Sequence, residues 1–119
     1  MMSDLKMYIA VLDQVPDYIV PTLVAHSVLN AHRKFAETFY DDIYDYQGHP
    51  VYMDWLIESF KKCVVRVNQK EFERIAVLED VHLGHENKTL DGKPSCIVVC
   101  PRHENPNVLK FSKLWEPKP

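Results

Sequence analysis

Three short apolar runs, separated by longer segments, place the strongest constraint on the fold of this chain. The runs span Leu5–Gln14, Lys62–Val67 and Cys96–Cys100, and each is bounded by charged or turn residues. Short, punctuated runs of this kind are typical of buried strands rather than helices. Between the first two runs, residues recur at spacings of three and four, which predicts a helix of about four turns. Its inward positions are Leu23, Val24, Ser27, Val28, Ala31 and Phe35.

The rest of the chain continues to alternate strands with helices. Asn68 and Glu71 have the spacing of a helix N-cap and its reciprocal acidic partner. The remaining predicted elements are a short helix at Val51–Phe60, a helix after Asn68, a strand at Val81–His85, a turn at Leu90–Pro94 and a closing helix from Asn105 to Leu114.

This order of elements predicts an α/β fold. We expect a single three-layer domain over residues 1–119, with a mixed, mostly parallel four-stranded sheet flanked by helices. Ligands of such sheets collect at the carboxyl ends of the strands. The search for a site therefore starts at the residues that follow each predicted strand.

Composition excludes several classes of protein. The chain has 119 residues, the size of one domain, and a formal net charge of −3, which gives no general attraction for nucleic acid. No apolar run approaches the roughly 20 residues of a membrane span, and the start lacks a secretory signal pattern. Three cysteines, an odd number, fit free thiols in a reducing compartment. We therefore expect a cytoplasmic protein without membrane contact.

The segment HLGHENKTLDGKPSCIVVCP, residues 82–101, gathers polar and thiol side chains around one turn. On a strand, Cys96 and Cys100 would lie about 13 Å apart, too far to share a metal ion. His82 and His85 would point to opposite faces of an extended strand. With only three glycines, the chain also lacks a phosphate-binding loop. We expect neither a metal nor a cofactor, and interpret both cysteines as core thiols.

His26 is the best candidate for acid–base chemistry, because an imidazole titrates near neutral pH. A histidine on a helix is more often an ordinary packed side chain, so this interpretation stays open beside the catalytic one. The one basic concentration comprises Lys61, Lys62, Arg66, Lys70 and Arg74. Such a cluster is either a solvated face or a site for phosphates.

Four segments in this order resemble the class II peptidyl-tRNA hydrolases of archaea and eukaryotes. They are KMYIAVLDQ, VAHSVLNAH, FKKCVVRVNQKEFERI and VLKFSKLW, so the likeness covers about residues 6–115. The second segment places His26 at the position of the histidine in the family's AAQ-x-x-HA pattern. The hairpin segment is similar to the family's Asp-Ala-Gly-x-Thr and Pro-Gly-x-x-Thr motifs and its final glycine-proline. The matching residues are Gly84, Thr89, Gly92, Ser95 and Pro101.

The resemblance implies a metal-independent hydrolase that cleaves the ester between peptide and tRNA, and a dimer. The resemblance places the catalytic histidine at His26 and hairpin motif residues at Thr89 and Ser95, and we interpret His26, His82, His85 and Glu86 as a substitute acid–base group at the edge of the sheet. The candidate substrate-binding residues come from the basic concentration and are Lys61, Lys62, Arg66 and Lys70. Two positions depart from the family. His82 stands where the family has an acidic residue, and Ile19–Val20 replaces its Gly-Lys pair.

The missing lysine and acidic residue favour an alternative function on the same fold. In it, the chain is an inactive binding or modifying protein that engages tRNA, an aminoacyl-tRNA synthetase or another host protein. The tyrosine-rich stretch YDDIYDYQ, residues 40–47, is the candidate contact surface for a protein partner. Small size and the atypical hairpin also fit a phage-encoded modifier of host machinery.

Overall fold

The computed structural model describes residues 4–37, 49–85 and 92–119. The strands are β1 (Lys6–Leu12), β2 (Lys61–Val67), β3 (Val81–His85), β4 (Pro94–Val99) and β5 (Lys113–Leu114). The helices are α1 (Val20–Glu37), α2 (Pro50–Asp54), α3 (Gln69–Ala76) and α4 (Asn107–Lys110). A 3-10 turn at Asp17–Ile19 precedes α1, and a π-helical turn at Trp55–Ser59 follows α2.

The strands form one mixed sheet in the order β3-β4-β1-β2-β5. β1 and β2 are parallel, whereas the other three neighbouring pairs are antiparallel. The α/β class is confirmed, but the expectation of a mostly parallel, four-stranded sheet is wrong. It failed because β3 and β4 return as a hairpin beside β1, and because β5 adds a strand at the far edge.

The strand directions place three carboxyl ends at the same edge of the sheet. β4 is antiparallel to both β1 and β3, so β1, β2 and β3 share one direction. These strands end at Leu12, Val67 and His85. β4 begins at this edge with Pro94, and α3 starts here after Val67. This edge therefore gathers chain ends that are distant in sequence.

Helices cover both faces of the sheet. α1 packs on β3 and β4, where Ser27 meets Gly84. α3 packs on β1 and β2 from the other side, and its Phe72 shares a cavity wall with Leu12 and Leu83. Because neighbouring strand residues point to opposite faces, Gly84 and Leu83 mark the two sides. We call them the α1 face and the α3 face.

The cap of α3 is confirmed in detail. The Asn68 side chain accepts a hydrogen bond from the Glu71 amide at 2.8 Å, and the Glu71 carboxylate accepts from the Asn68 amide at 2.9 Å. These bonds satisfy amides at the helix start that lack partners within the helix.

The predicted helix at Val51–Phe60 is helical but not uniform. His49 caps α2, and the turn after it widens into π geometry and ends at Phe60, whose φ is +56°. The wider turn accompanies a buried Trp55, whose indole N–H donates to the Lys61 carbonyl at 2.7 Å. This bond links the segment to the first residue of β2.

The closing helix is shorter than predicted. It begins at Asn107 and ends at Lys110, so the expectation of a helix through Leu114 is wrong. Lys113 and Leu114 instead pair with Arg66 and Val65 as β5, and the Trp115 amide donates to the Val64 carbonyl at 2.9 Å. Pairing here satisfies backbone groups of β2 that would otherwise face the open edge of the sheet.

One hydrophobic cluster joins the sheet to helices on both faces. Cys96 and Cys100 are buried in it as free thiols, which confirms that they are core residues. Burial raises the pKa of the Cys96 thiol to about 12, so it carries no nucleophilic thiolate near neutral pH. Within the described residues, no helix combines the length and apolar character needed to cross a membrane.

Candidate functional site

His26 lies exposed on the flank of α1, beside the buried Ser27. Its Nε2 lies 3.2 Å from the Asn30 amide nitrogen, one helical turn further along. In the tautomer that carries the ring proton on Nδ1, His26 Nε2 accepts a hydrogen bond from this amide nitrogen.

His82 lies on the same face of the sheet, in β3 and half-buried under α1. Burial lowers the pKa of its imidazole, and nearby positive charge on Lys34, His26 and His85 lowers it further. The ring is therefore neutral at physiological pH. His26 and His82 are distant in sequence but close enough in the fold for His26 to help lower the pKa of His82.

A contact between small residues fixes the distance between α1 and β3. A Cβ atom added to Gly84 would lie 2.0 Å from the Ser27 Oγ and 2.8 Å from the Ser27 Cβ. Only glycine allows this approach of helix to strand. Ser27 is fully buried, and its hydroxyl borders the Cys96 thiol without reaching hydrogen-bond geometry with any described group. This contact fixes how closely the helix that carries His26 approaches the strand that carries His82.

Of the other candidate catalytic residues that the structure describes, Ser95 lies away from His26, whereas His85 lies near His82. Ser95 is next to Cys96 in β4 and therefore points to the α3 face, away from His26. Its hydroxyl is buried and has no partner among the described residues. His85 is exposed at the end of β3, close enough to affect the pKa of His82. Glu86 and Thr89 lie outside the described residues, as does the tyrosine-rich stretch at 40–47.

The basic residues are separated along β2 and α3. Lys61 and Lys62 stand at the start of β2 and Arg66 near its end, a span of about 15 Å at 3.3 Å per residue. Lys62 lies over the Phe60 ring at 3.2 Å from the ring centre and donates to the Phe60 carbonyl at 2.6 Å. Lys70 is exposed on the first turn of α3. The described structure does not form one compact phosphate-binding patch from them.

The positive charge of Arg66 is balanced by a neighbouring carboxylate. Its guanidinium lies 3.4 Å from the Asp17 carboxylate and 5.3 Å from the centre of the Trp115 ring. It also donates to the Glu116 carbonyl. The Lys118 amide and Arg66 together hold the pKa of the Asp17 carboxyl below its usual range. Arg66 thus ties β2 to the chain terminus rather than presenting a free cation.

A histidine–carboxylate pair occurs elsewhere, at the opposite edge of the sheet. His49 Nε2 lies 3.1 Å from the Asp80 carboxylate, while His49 Nδ1 accepts from the Tyr52 amide at 3.4 Å. Both ring nitrogens are engaged, so this pair anchors α2 to the turn before β3. Among the described residues, no group of three or more His, Cys, Asp or Glu side chains is placed to hold a metal ion.

No sequence pattern indicated the cavity that lies on the α3 face at the carboxyl edge of the sheet. It has a volume of about 620 Å³. Its apolar wall is formed by Leu12, Phe72, Ala76, Leu83 and Pro94, and its polar rim by Gln14, Gln69, Glu73 and Lys93. Leu83, a large apolar residue of β3, lines it and remains 40% exposed. We call this space the α3 cavity.

Comparison with models of known protein families and with curated proteins finds no match for this chain.

Proposed function

We propose that this chain is a relative of the class II peptidyl-tRNA hydrolases that cleaves the ester between peptide and tRNA. The supporting observation is that α1, which carries His26, contacts β3, which carries His82, through Ser27 and Gly84, and that His26 is close enough to help lower the pKa of His82 although they are 56 positions apart in the sequence. The family resemblance assigns the catalytic histidine to the first of these elements and a catalytic side chain to the second. The described mixed sheet with helices on both faces is compatible with that fold.

In this proposal His26 is the general base. Its Nε2 lone pair, which accepts from Asn30 in the resting protein, takes a proton from water. The water oxygen forms a bond to the acyl carbon, the bond from that carbon to the ribose oxygen breaks, and the proton returns to the ribose oxygen. Neutral His82 adds no positive charge that would oppose protonation of His26. A base of this kind contributes about 100-fold to 10,000-fold to the rate.

The test is single-turnover release of peptide from a defined peptidyl-tRNA. We expect His26→Gln to reduce the rate by about 100-fold and His82→Gln by a smaller factor. His103→Gln is the matched control, because His103 is also exposed but lies beside Pro101 and Arg102 in a different part of the surface. Full activity in both His26→Gln and His82→Gln would rule out catalysis by this pair.

A second function is favoured by the neutralised Arg66 and the separated lysines. In it the chain binds a protein, such as an aminoacyl-tRNA synthetase, without hydrolysing an ester. A gel shift with tRNA at two salt concentrations distinguishes the functions, because contacts between cations and phosphates weaken steeply with salt. Salt-dependent binding together with turnover supports the hydrolase, whereas the absence of both supports the binding protein.

A further inference from the structure

We infer that the α3 cavity is a binding site for a short apolar peptide with a free amino and a free carboxyl terminus. The site is separate from the His26–His82 pair, because the sheet lies between them. The inference therefore stands whether or not the chain hydrolyses an ester.

The position of the cavity is the first argument. It opens where β1 ends at Leu12, where α3 begins at Gln69 and where β4 begins at Pro94. Crevices outside the carboxyl ends of strands are the usual ligand sites of open α/β sheets. The volume of about 620 Å³ lies within the range of small-molecule sites, roughly 300–1,000 Å³.

The apolar wall is the second argument. Leu83 stands on β3 facing the cavity and is 40% exposed, whereas Leu12 and Phe72 below it are buried. An apolar side chain that fills the cavity would remove this Leu83 surface from water. Removing apolar surface from water in this way favours the complex. An apolar side chain on the ligand is thus the group that the wall favours.

The charges at the rim are the third argument. Glu73 and Lys93 both line the cavity, and no described residue forms an ion pair with Lys93. A ligand ammonium group would pair with the Glu73 carboxylate, and a ligand carboxylate would pair with the Lys93 ammonium. A molecule that carries both charges at the ends of an apolar body complements this rim.

Two side-chain amides at the rim of the cavity favour a peptide over a single amino acid as the ligand. Gln14 and Gln69 carry groups that both donate and accept, as a peptide bond requires. Gln69 also donates to the Glu73 carboxylate at 3.4 Å, which orients that carboxylate. The cap of α3 occupies the Asn68 and Glu71 amides, and Lys93 is the cation among the residues that line the cavity, so we assign the anion of the ligand to Lys93.

The probe for the test is the dipeptide leucyl-leucine, titrated into the whole isotope-labelled chain and followed by amide chemical shifts. We expect saturable shifts at Leu83, Phe72 and Lys93, with His26 and its neighbours unaffected. Blocking either end of the dipeptide, by N-acetylation or C-amidation, should weaken binding about tenfold, since each block removes one charged contact.

Variants of the chain provide the complementary arm. Lys93→Gln and Glu73→Gln should each weaken binding of leucyl-leucine about tenfold. Lys110→Gln and Glu58→Gln are matched controls, because both residues are exposed and neither lines the cavity. Ala76→Leu should prevent binding by filling the cavity while keeping both charges. Dispersed amide spectra establish that each variant is folded.

Three results would overturn the inference. One is the absence of shifts at the cavity with millimolar leucyl-leucine. Another is equal affinity for the doubly blocked dipeptide, which would show that the charges do not contribute. The third is unchanged binding in folded Ala76→Leu, which would place the dipeptide elsewhere. Loss of peptidyl-tRNA hydrolysis in His26→Gln bears on none of these, so the two proposals fail independently.

Discussion

The two faces of the sheet are built in opposite ways. On the α1 face, helix and strand approach so closely that Ser27 excludes any side chain at Gly84, and the histidines are confined to the margin. On the α3 face, Phe72 and Leu83 leave an open space of about 620 Å³ between helix and sheet. On the α1 face, the small Gly84 lets helix and strand pack closely, which fixes the side chains beside the contact. On the α3 face, the large side chains of Phe72 and Leu83 keep helix and sheet apart, which leaves room for a ligand.

The largest stability difference between the faces should come from truncating leucines. Leu23 of α1 is 1% exposed, so Leu23→Ala should lower the free energy of unfolding by about 3 kcal/mol. Leu83 borders the open cavity, so Leu83→Ala should lower the free energy of unfolding by less than about 1 kcal/mol. Urea unfolding of the two variants measures both values. Equal losses would contradict the difference in packing.

The next effect concerns the tight contact itself. Gly84→Ala should lower the free energy of unfolding by about 2 kcal/mol, because its Cβ must displace Ser27 and with it α1. The control is Gly92→Ala, where no atom lies within 4 Å and only the φ of +72° opposes the substitution, so the loss should be about 1 kcal/mol.

A double variant separates steric conflict from other causes. Placing Gly84→Ala in a Ser27→Gly background should remove most of its additional cost, which a double-mutant cycle measures. Strict additivity of the two changes would show that Ser27 is not the residue in conflict.

A smaller gain is expected from removing buried hydroxyls, one on each face. Ser27 and Ser95 are both buried, and neither hydroxyl has a hydrogen-bond partner among the described residues. Ser27→Ala and Ser95→Ala should therefore leave stability unchanged or raise it by about 1 kcal/mol. Thermal unfolding of each variant provides the measurement. A clear loss in either would reveal a partner for that hydroxyl.

The smallest effect is the pH dependence from His82. Its folded pKa lies below the ordinary value of 6.5, so the unfolded chain binds the proton more readily. Above about pH 6.5 His82 is neutral in both states and does not oppose folding. As the pH falls from about 6.5 toward the folded pKa, protonation of the unfolded chain lowers the free energy of unfolding. Because the ring is partly exposed, we expect less than about 1 kcal/mol.

The titration of His82 is measured directly by NMR of its ring protons. The midpoint should lie below 6.5 in the native chain and rise in Lys34→Gln, which removes a nearby positive charge. Asp54→Asn is a control, because Asp54 is an exposed charged residue that does not contribute to the pKa shift of His82. An ordinary midpoint that is unchanged in Lys34→Gln would contradict the placement of these groups.

Much of this architecture could be predicted because local signals decide it. The cap of Asn68 with Glu71 and the strand at Val81–His85 depend on neighbours in sequence, and both are confirmed. β5 could not be predicted, because Lys113 and Leu114 become a strand only through the free edge of β2. Local spacing carries no information about an edge formed nearly 50 residues earlier.

The same distinction holds for the candidate sites. His26 could be identified as a candidate from its residue type and helix, but its position beside His82 depends on tertiary contact at Gly84. The basic residues looked like one cluster because they are close in sequence, yet strand geometry separates Lys61 from Arg66, and Asp17 pairs with Arg66. The α3 cavity joins residues from four segments that are distant in sequence, so no local pattern indicated it.

The claim that the sheet separates two sites is tested most directly by measuring two activities in two variants. Single-turnover peptide release and leucyl-leucine binding are measured for folded His26→Gln and Lys93→Gln. We expect His26→Gln to lose peptide release while binding the dipeptide normally, and Lys93→Gln to bind it about tenfold more weakly while releasing peptide normally. Loss of both activities in either folded variant would contradict the separation.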